Sequence, residues 1–232
     1  MARQARFSVA GLPHLVVQRG DLARSAFVDD TDRRRYVELL GEVARISPVA
    51  VHAFGVTDDE IGLLVTPSQP EALGRFMQRV GRRYVAEFHA RHGGSGALWP
   101  TRFQSAVIDP EHYLLTAMLY VEQAPVRSGL AVQAREWPWS SGQHHIGEKR
   151  VAWLKDHADY WRLGNTPFER EAGHEGRLQQ MLDEADLGRI QKAVRGGWPL
   201  GADGFVAEIA AASARPVRPR PRGRPSRAGS DI

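Results

Sequence analysis

Val49-Ala-Val-His-Ala-Phe-Gly-Val56, Thr57-Asp58-Asp59 and Glu60-Ile-Gly-Leu-Leu-Val65 run consecutively. Two short apolar segments rich in β-branched residues flank three polar ones whose side chains can bond their own backbone in a turn. The stretch predicts a β-hairpin. Upstream, His14–Gln18 reads as a short buried strand closed by Arg19-Gly20. Between them Asp29, Asp30 and Asp32 place acids at a helix N-terminus, where the helix dipole favours them. Tyr36, Leu39, Leu40, Val43 and Ile46 follow at three- and four-residue spacing, and the helix should stop before Pro48.

Downstream, Pro70 opens a longer helix with the apolar stripe Leu73, Phe76, Met77, Val80, Tyr84 and Phe88. Arg75, Arg79, Arg82 and Arg83 crowd its other side, with Glu71 and Glu87 the only acids close in sequence. Gly93-Gly94-Ser95-Gly96 breaks the pattern, Arg102–Ile108 reads as a fourth strand, and Pro110 begins a helix to about Glu122. The order β-α-β-β-α-β-α predicts an α+β fold, a ferredoxin-like antiparallel sheet with helices on one face. After Trp137-Pro138-Trp139 the strand signals end. The expected organisation is a sheet-and-helix domain over 1–147, a helical extension over 148–213 and an Arg/Pro-rich tail over 214–232, disordered on its own.

Composition narrows the functions. The 232 residues are 42% hydrophobic and 25% charged, with no apolar run long enough for a bilayer. No apolar core follows the basic start at Met1, so no signal peptide is expected. The absence of cysteine excludes thiolate metal sites, cysteine nucleophiles and disulfides, and fits a reducing cytoplasm. Arg215, Arg218, Arg220, Arg222, Arg224 and Arg227 face a single acid, Asp231, in the tail. That excess is larger than the whole chain's net +4, so the body is close to neutral. A basic tail meets a polyanion or simply solubilises the chain. Pro221-Arg222-Gly223-Arg224-Pro225 looks like an AT-hook core, in which two arginines enter the narrow minor groove of A·T-rich duplex.

Several segments, taken in order, resemble the REP-associated tyrosine transposases. They are His14 through Arg19-Gly20, Arg75–Arg79 through Arg82-Arg83-Tyr84, and Phe88 to Gly93. Ser95–Trp99 with Arg102-Phe103 and Ser105 follows, then Tyr120 with Pro125-Val126-Arg127 and Gly129-Leu130, and Trp137–Ser141. The resemblance covers about residues 1–145, and more weakly Pro199–Phe205 with the tail. It implies a single-tyrosine HUH enzyme, in which a tyrosine attacks DNA and becomes joined to the 5′ phosphate. It implies Tyr120 as nucleophile, a divalent ion held by a His-hydrophobic-His pair, and an amide ligand one turn after the tyrosine. Two imidazoles two residues apart on a strand face the same side and so converge on one ion.

This chain departs from that pattern at every ligand. Glu60-Ile61-Gly62 stands where the family has His-hydrophobic-His, and Ala124 where it has the amide. Glu60, even with Asp58 or Asp59, would hold magnesium or manganese only weakly. Gln123, one residue early, is rotated by about 100° around the helix. A Lewis-acid ion supplies several kcal/mol to such a transition state, and each ~1.4 kcal/mol is tenfold in rate. The expectation is a DNA-binding protein for single-stranded or hairpin DNA, monomer or homodimer, cytoplasmic and nucleoid-associated, with cleavage lost or much reduced. No cofactor is expected unless activity survives, which would call for Mg or Mn. Tyr120 is then a remnant nucleophile and Glu60 a weak metal candidate. The expected DNA contacts are Arg19, Arg75, Arg79, Arg82, Arg83, Arg102, Arg127, Arg222 and Arg224. The alternatives are an active transposase or endonuclease and a noncatalytic RNA-binding or protein-interaction module. Plainer readings are a solvated turn for Asp58–Glu60, satisfied core positions for His14 and His52, and surface positions for His144 and His145.

Overall fold

Four strands pair antiparallel in the order β2-β3-β1-β4: β1 His14–Arg19, β2 Val49–Val56, β3 Glu60–Pro67 and β4 Gln104–Val107. The computed structural model describes residues 7–20, 25–213 and 217. The predicted hairpin is present, pairing Val56 with Ile61 at the turn and Val49 with Pro67 at the far end. Thr57 holds the turn: its amide reaches Glu60 O at 2.9 Å, and its hydroxyl accepts from Glu60 N at 3.0 Å.

On one face lie α1 (Asp30–Ile46) and α2 (Ala72–His92). Asp29 caps α1, its side chain accepting from Thr31 N at 2.9 Å and Asp32 N at 3.1 Å. α2 ends where Gly93 turns to φ +73°, a conformation that costs glycine little. Val16, Leu63 and Val65 of the sheet meet Leu39, Leu40 and Val43 of α1 and Phe76 and Val80 of α2. Phe27, Tyr36, Tyr84 and Trp99 stack edge-on or tilted within that layer.

The antiparallel α+β sheet is as predicted, but its helices are not confined to that face. α3 (Pro110–Glu122), the short α4 (Ala124–Arg127) and α5 (Gly142–His145), α6 (Pro167–Gln179), α7 (Glu184–Gly196) and α8 (Asp203–Ala212) follow. α3 and α7 cover the second face, bringing Leu114, Met118, Ile190 and Val194 against Leu15, Val17 and Leu64. The reason is in β1: Leu15, Val16 and Val17 are all buried, and a strand apolar on both parities must be covered on both faces.

Both sheet edges are also closed. Along β2, Val56 N bonds Trp139 O at 2.9 Å and Ser141 N bonds Phe54 O at 2.8 Å. Beside β4, Leu200 N bonds Val107 O at 2.8 Å and Ile108 bridges to Leu200 in parallel. Edges so covered do not invite another strand. No helix among the described residues is long and apolar enough to cross a membrane. The tail expectations, with Arg222 and Arg224, fall outside the described residues.

Candidate nucleic-acid interface

Arg19 and Glu60 are register partners on β1 and β3, so their side chains leave the same face of the sheet, the face α3 covers. Arg19 Nη2 lies 2.8 Å from Glu60 Oε2. α3 presents Tyr120 to the same face at 2% exposure, near enough for the Arg19 charge to act on its hydroxyl. Arg127, one turn beyond α3, stacks its guanidinium 4.4 Å above the Tyr120 ring and donates from Nη2 to Tyr120 O. Its Nη1 is buried without a partner among the described residues. Burial raises the Tyr120 pKa and the Glu60 charge adds to this, against the opposing pull of Arg127 and Arg19. The phenol is therefore protonated at neutral pH.

A divalent ion does not fit here. Glu60 is paired with Arg19, and Asp58 with Arg33. Gly62 offers no donor atom, and a Cβ on it would lie 2.7 Å from Val121 Cγ1. A Cβ on Gly55 would come 2.1 Å from Val121 O, so these two glycines let α3 sit directly on the hairpin. Ala124 is buried. Gln123, next to it, is fully engaged elsewhere: its Nε2 donates to Leu178 O at 3.1 Å and Gln180 O at 2.7 Å, and its Oε1 accepts from Leu182 N at 3.1 Å.

Two residues beyond Tyr120, and so about 200° around the helix, Glu122 points the other way into a cluster that the sequence did not reveal. His145 Nδ1 lies 2.5 Å from Glu122 Oε1, His174 Nε2 lies 2.6 Å from Oε2, and Ser141 Oγ donates to Oε1 at 2.6 Å. All three titratable groups are buried. Burial raises the Glu122 pKa, but His174 and His145 outweigh it and the net direction is down. Two histidines and a carboxylate could hold a metal ion. Their spacing, however, is that of hydrogen bonds, and His174 Nδ1 has no partner among the described residues. A coordinating imidazole would carry a proton there and need an acceptor. The cluster ties α3, α5 and α6 together. His145, expected at the surface, is thus a core residue, and the one available signal was Glu122 itself, an acid at the end of an apolar helix.

His14 and His52 are satisfied core histidines, as the plainer reading has them. Leu12 O lies 2.8 Å from His14 Nδ1, and Val9 N donates to Nε2 at 3.1 Å. Lys155 O lies 2.6 Å from His52 Nδ1, with Thr66 Oγ1 2.8 Å from Nε2.

The helix arginines divide. Arg83 is bound to Glu42 of α1 at 2.5 Å, an acid far away in sequence. Arg75 and Arg82 line a groove of about 800 Å³ between α2 and the segment leading into β4, together with Gln18, Trp99 and Arg102. Arg75, Arg79, Arg82 and Arg102 are exposed and form no ion pair among the described residues. Arg79 lies outside that groove.

Neither a protein-family model nor a curated protein matches the chain. Among solved structures, the chain is similar to a REP-associated tyrosine transposase bound to a REP hairpin. The identity is 18% and the TM-score 0.55, covering 67% of this chain and 93% of that one. It also matches a transposase structure from Deinococcus radiodurans R1, at 21% identity and TM-score 0.36, covering 52% of this chain and 96% of that one. The first likeness shows a common fold.

Proposed function

We propose that this protein binds single-stranded or hairpin DNA on a transposase fold and does not cleave it. The observation that carries the reading is the groove between α2 and the Trp99–Phe103 segment, where Arg75, Arg82 and Arg102 have no ion-pair partner among the described residues and stand beside an aromatic wall. Guanidinium forks suit phosphate oxygens, and a half-buried indole offers a stacking surface for an unpaired base. The fold shared with a protein bound to a REP hairpin supports DNA as the polyanion. The silence of the chemistry follows from Tyr120: buried, protonated, with no ligand atom at 62 or 124 and the Glu60 carboxylate paired with Arg19. Arg222 and Arg224 add duplex affinity through the tail.

The test is incubation with labelled hairpin DNA, with and without magnesium or manganese, followed by native and denaturing gels. The expected result is a salt-sensitive complex and no covalent adduct. A metal-dependent adduct that disappears in Tyr120→Phe would establish the active-transposase alternative. Equal affinity for the RNA counterpart would favour the RNA-binding one.

A further inference from the structure

We propose that Arg19 is a metal-independent anchor for one backbone phosphate of the bound strand, held in place by Glu60. The inference rests on the DNA-binding reading above and locates where the strand is gripped beyond the groove.

Four observations carry it. First, the guanidinium has five donors, and its ion-pair partner among the described residues is Glu60. The Arg19 side chain is 46% exposed against 15% for Glu60, so donors remain open to solvent while the acid behind them is shielded. Second, β4 begins opposite Val17, so among the described residues Gln18 and Arg19 have no partner strand on that side.

Third, a second cation stands beside Tyr120: the Arg127 guanidinium lies 4.4 Å from its ring and keeps a buried N–H without a partner among the described residues. Fourth, the groove comes within one residue of it: Gln18, which precedes Arg19 on β1, lines the groove from the opposite face of the sheet. In related chemistry a divalent ion would meet the phosphate at this place; here the donor set excludes the ion and supplies a fixed guanidinium. Glu60 is a positioning residue, and no covalent step is involved.

The experiment is fluorescence anisotropy of the full chain with a labelled single-stranded hairpin DNA over a salt series, in EDTA and in magnesium. Wild-type affinity should be the same in both. Arg19→Ala should bind about tenfold more weakly, with a salt slope reduced by about one phosphate contact. Arg19→Lys keeps the charge and the Glu60 pair but loses the fork, and should fall between the two, which covers a failure of Arg19→Ala to fold. Arg189→Ala, removing a surface partner of Asp186, is the control and should match wild type. Binding that Arg19→Ala and Arg19→Lys leave untouched, or wild-type binding abolished by EDTA, overturns the inference and leaves the DNA reading standing. A wild-type chain that binds no DNA overturns both.

Discussion

The side chain of Val121 occupies the space that a Cβ on Gly62 would need, 2.7 Å from its Cγ1. An imidazole at position 62 is thus excluded by packing. Val121 is wholly buried and belongs to the core formed with Leu15, Val17 and Leu64. Placing a larger side chain at position 62 would therefore mean moving α3 off the sheet.

Gly62→His should cost stability on the scale of core overpacking, about 1–3 kcal/mol. Urea unfolding followed by circular dichroism measures it. Adding Val121→Ala should recover part of the loss by opening the space the ring needs. If Gly62→His were as stable as wild type, α3 would have to sit further from the hairpin than it does here.

Glu122→Gln should be more damaging than its conservative appearance suggests. The carboxylate is buried between His145 and His174 and also accepts from Ser141. Breaking a buried ionic cluster by removing one partner costs about 3–5 kcal/mol. Because the cluster fastens α6 to α3, limited proteolysis should cut the segment after residue 147 sooner in the variant. The net pKa shift of Glu122 is downward, against the raising effect of burial. Its contribution is accordingly complete above the ordinary value of 4.5 and is lost as pH falls well below it. A wild-type unfolding curve from which the variant differs equally at every pH would remove the charge from this account.

A second pH dependence lies higher. Burial depresses His14 and His52 from 6.5 to about 4 in each case, partly offset by their bonds to the carbonyls of Leu12 and Lys155. The unfolded chain takes up these protons as pH falls below 6.5, while the folded chain stays neutral until about 4. The sign is loss of stability on acidification between those values, at about 1.4 kcal/mol per pH unit for each histidine. Urea midpoints at a series of pH values should fall over that window. His52→Gln should flatten the slope, since glutamine takes up no proton in either state.

For the groove, the sensitive readout is the salt dependence of binding. Arg75→Ala, Arg82→Ala and Arg102→Ala should each lower affinity across DNA sequences and reduce the salt slope by about one. Arg83→Ala should change the slope less, because Arg83 is held by Glu42. Equal effects at all four positions would mean that the Arg83–Glu42 pair opens when DNA binds.

The hairpin, the caps and the apolar stripes were legible along the chain because each is a local periodicity, and local spacing determines which face a residue joins. Val49–Val65 announces two paired strands, Asp29 announces a helix start, and the stripe from Leu73 to Phe88 announces a buried helix face. The chain alone also carried the resemblance and its departures at 60, 62 and 124, since comparing residues with a pattern needs no coordinates. What spacing along the chain does not encode is which distant group meets a side chain once both faces of the sheet are covered. Arg83 looked uncompensated until α1 brought Glu42 to it from 41 residues away. His145 read as a surface group until α3 supplied Glu122 and α6 supplied His174. Arg19 became part of the Tyr120 environment only through its register opposite Glu60 and the close seat of α3 on Gly55 and Gly62. Charge pairing and close packing depend on separations of a few ångströms between segments far apart in sequence, and only the tertiary structure sets those distances.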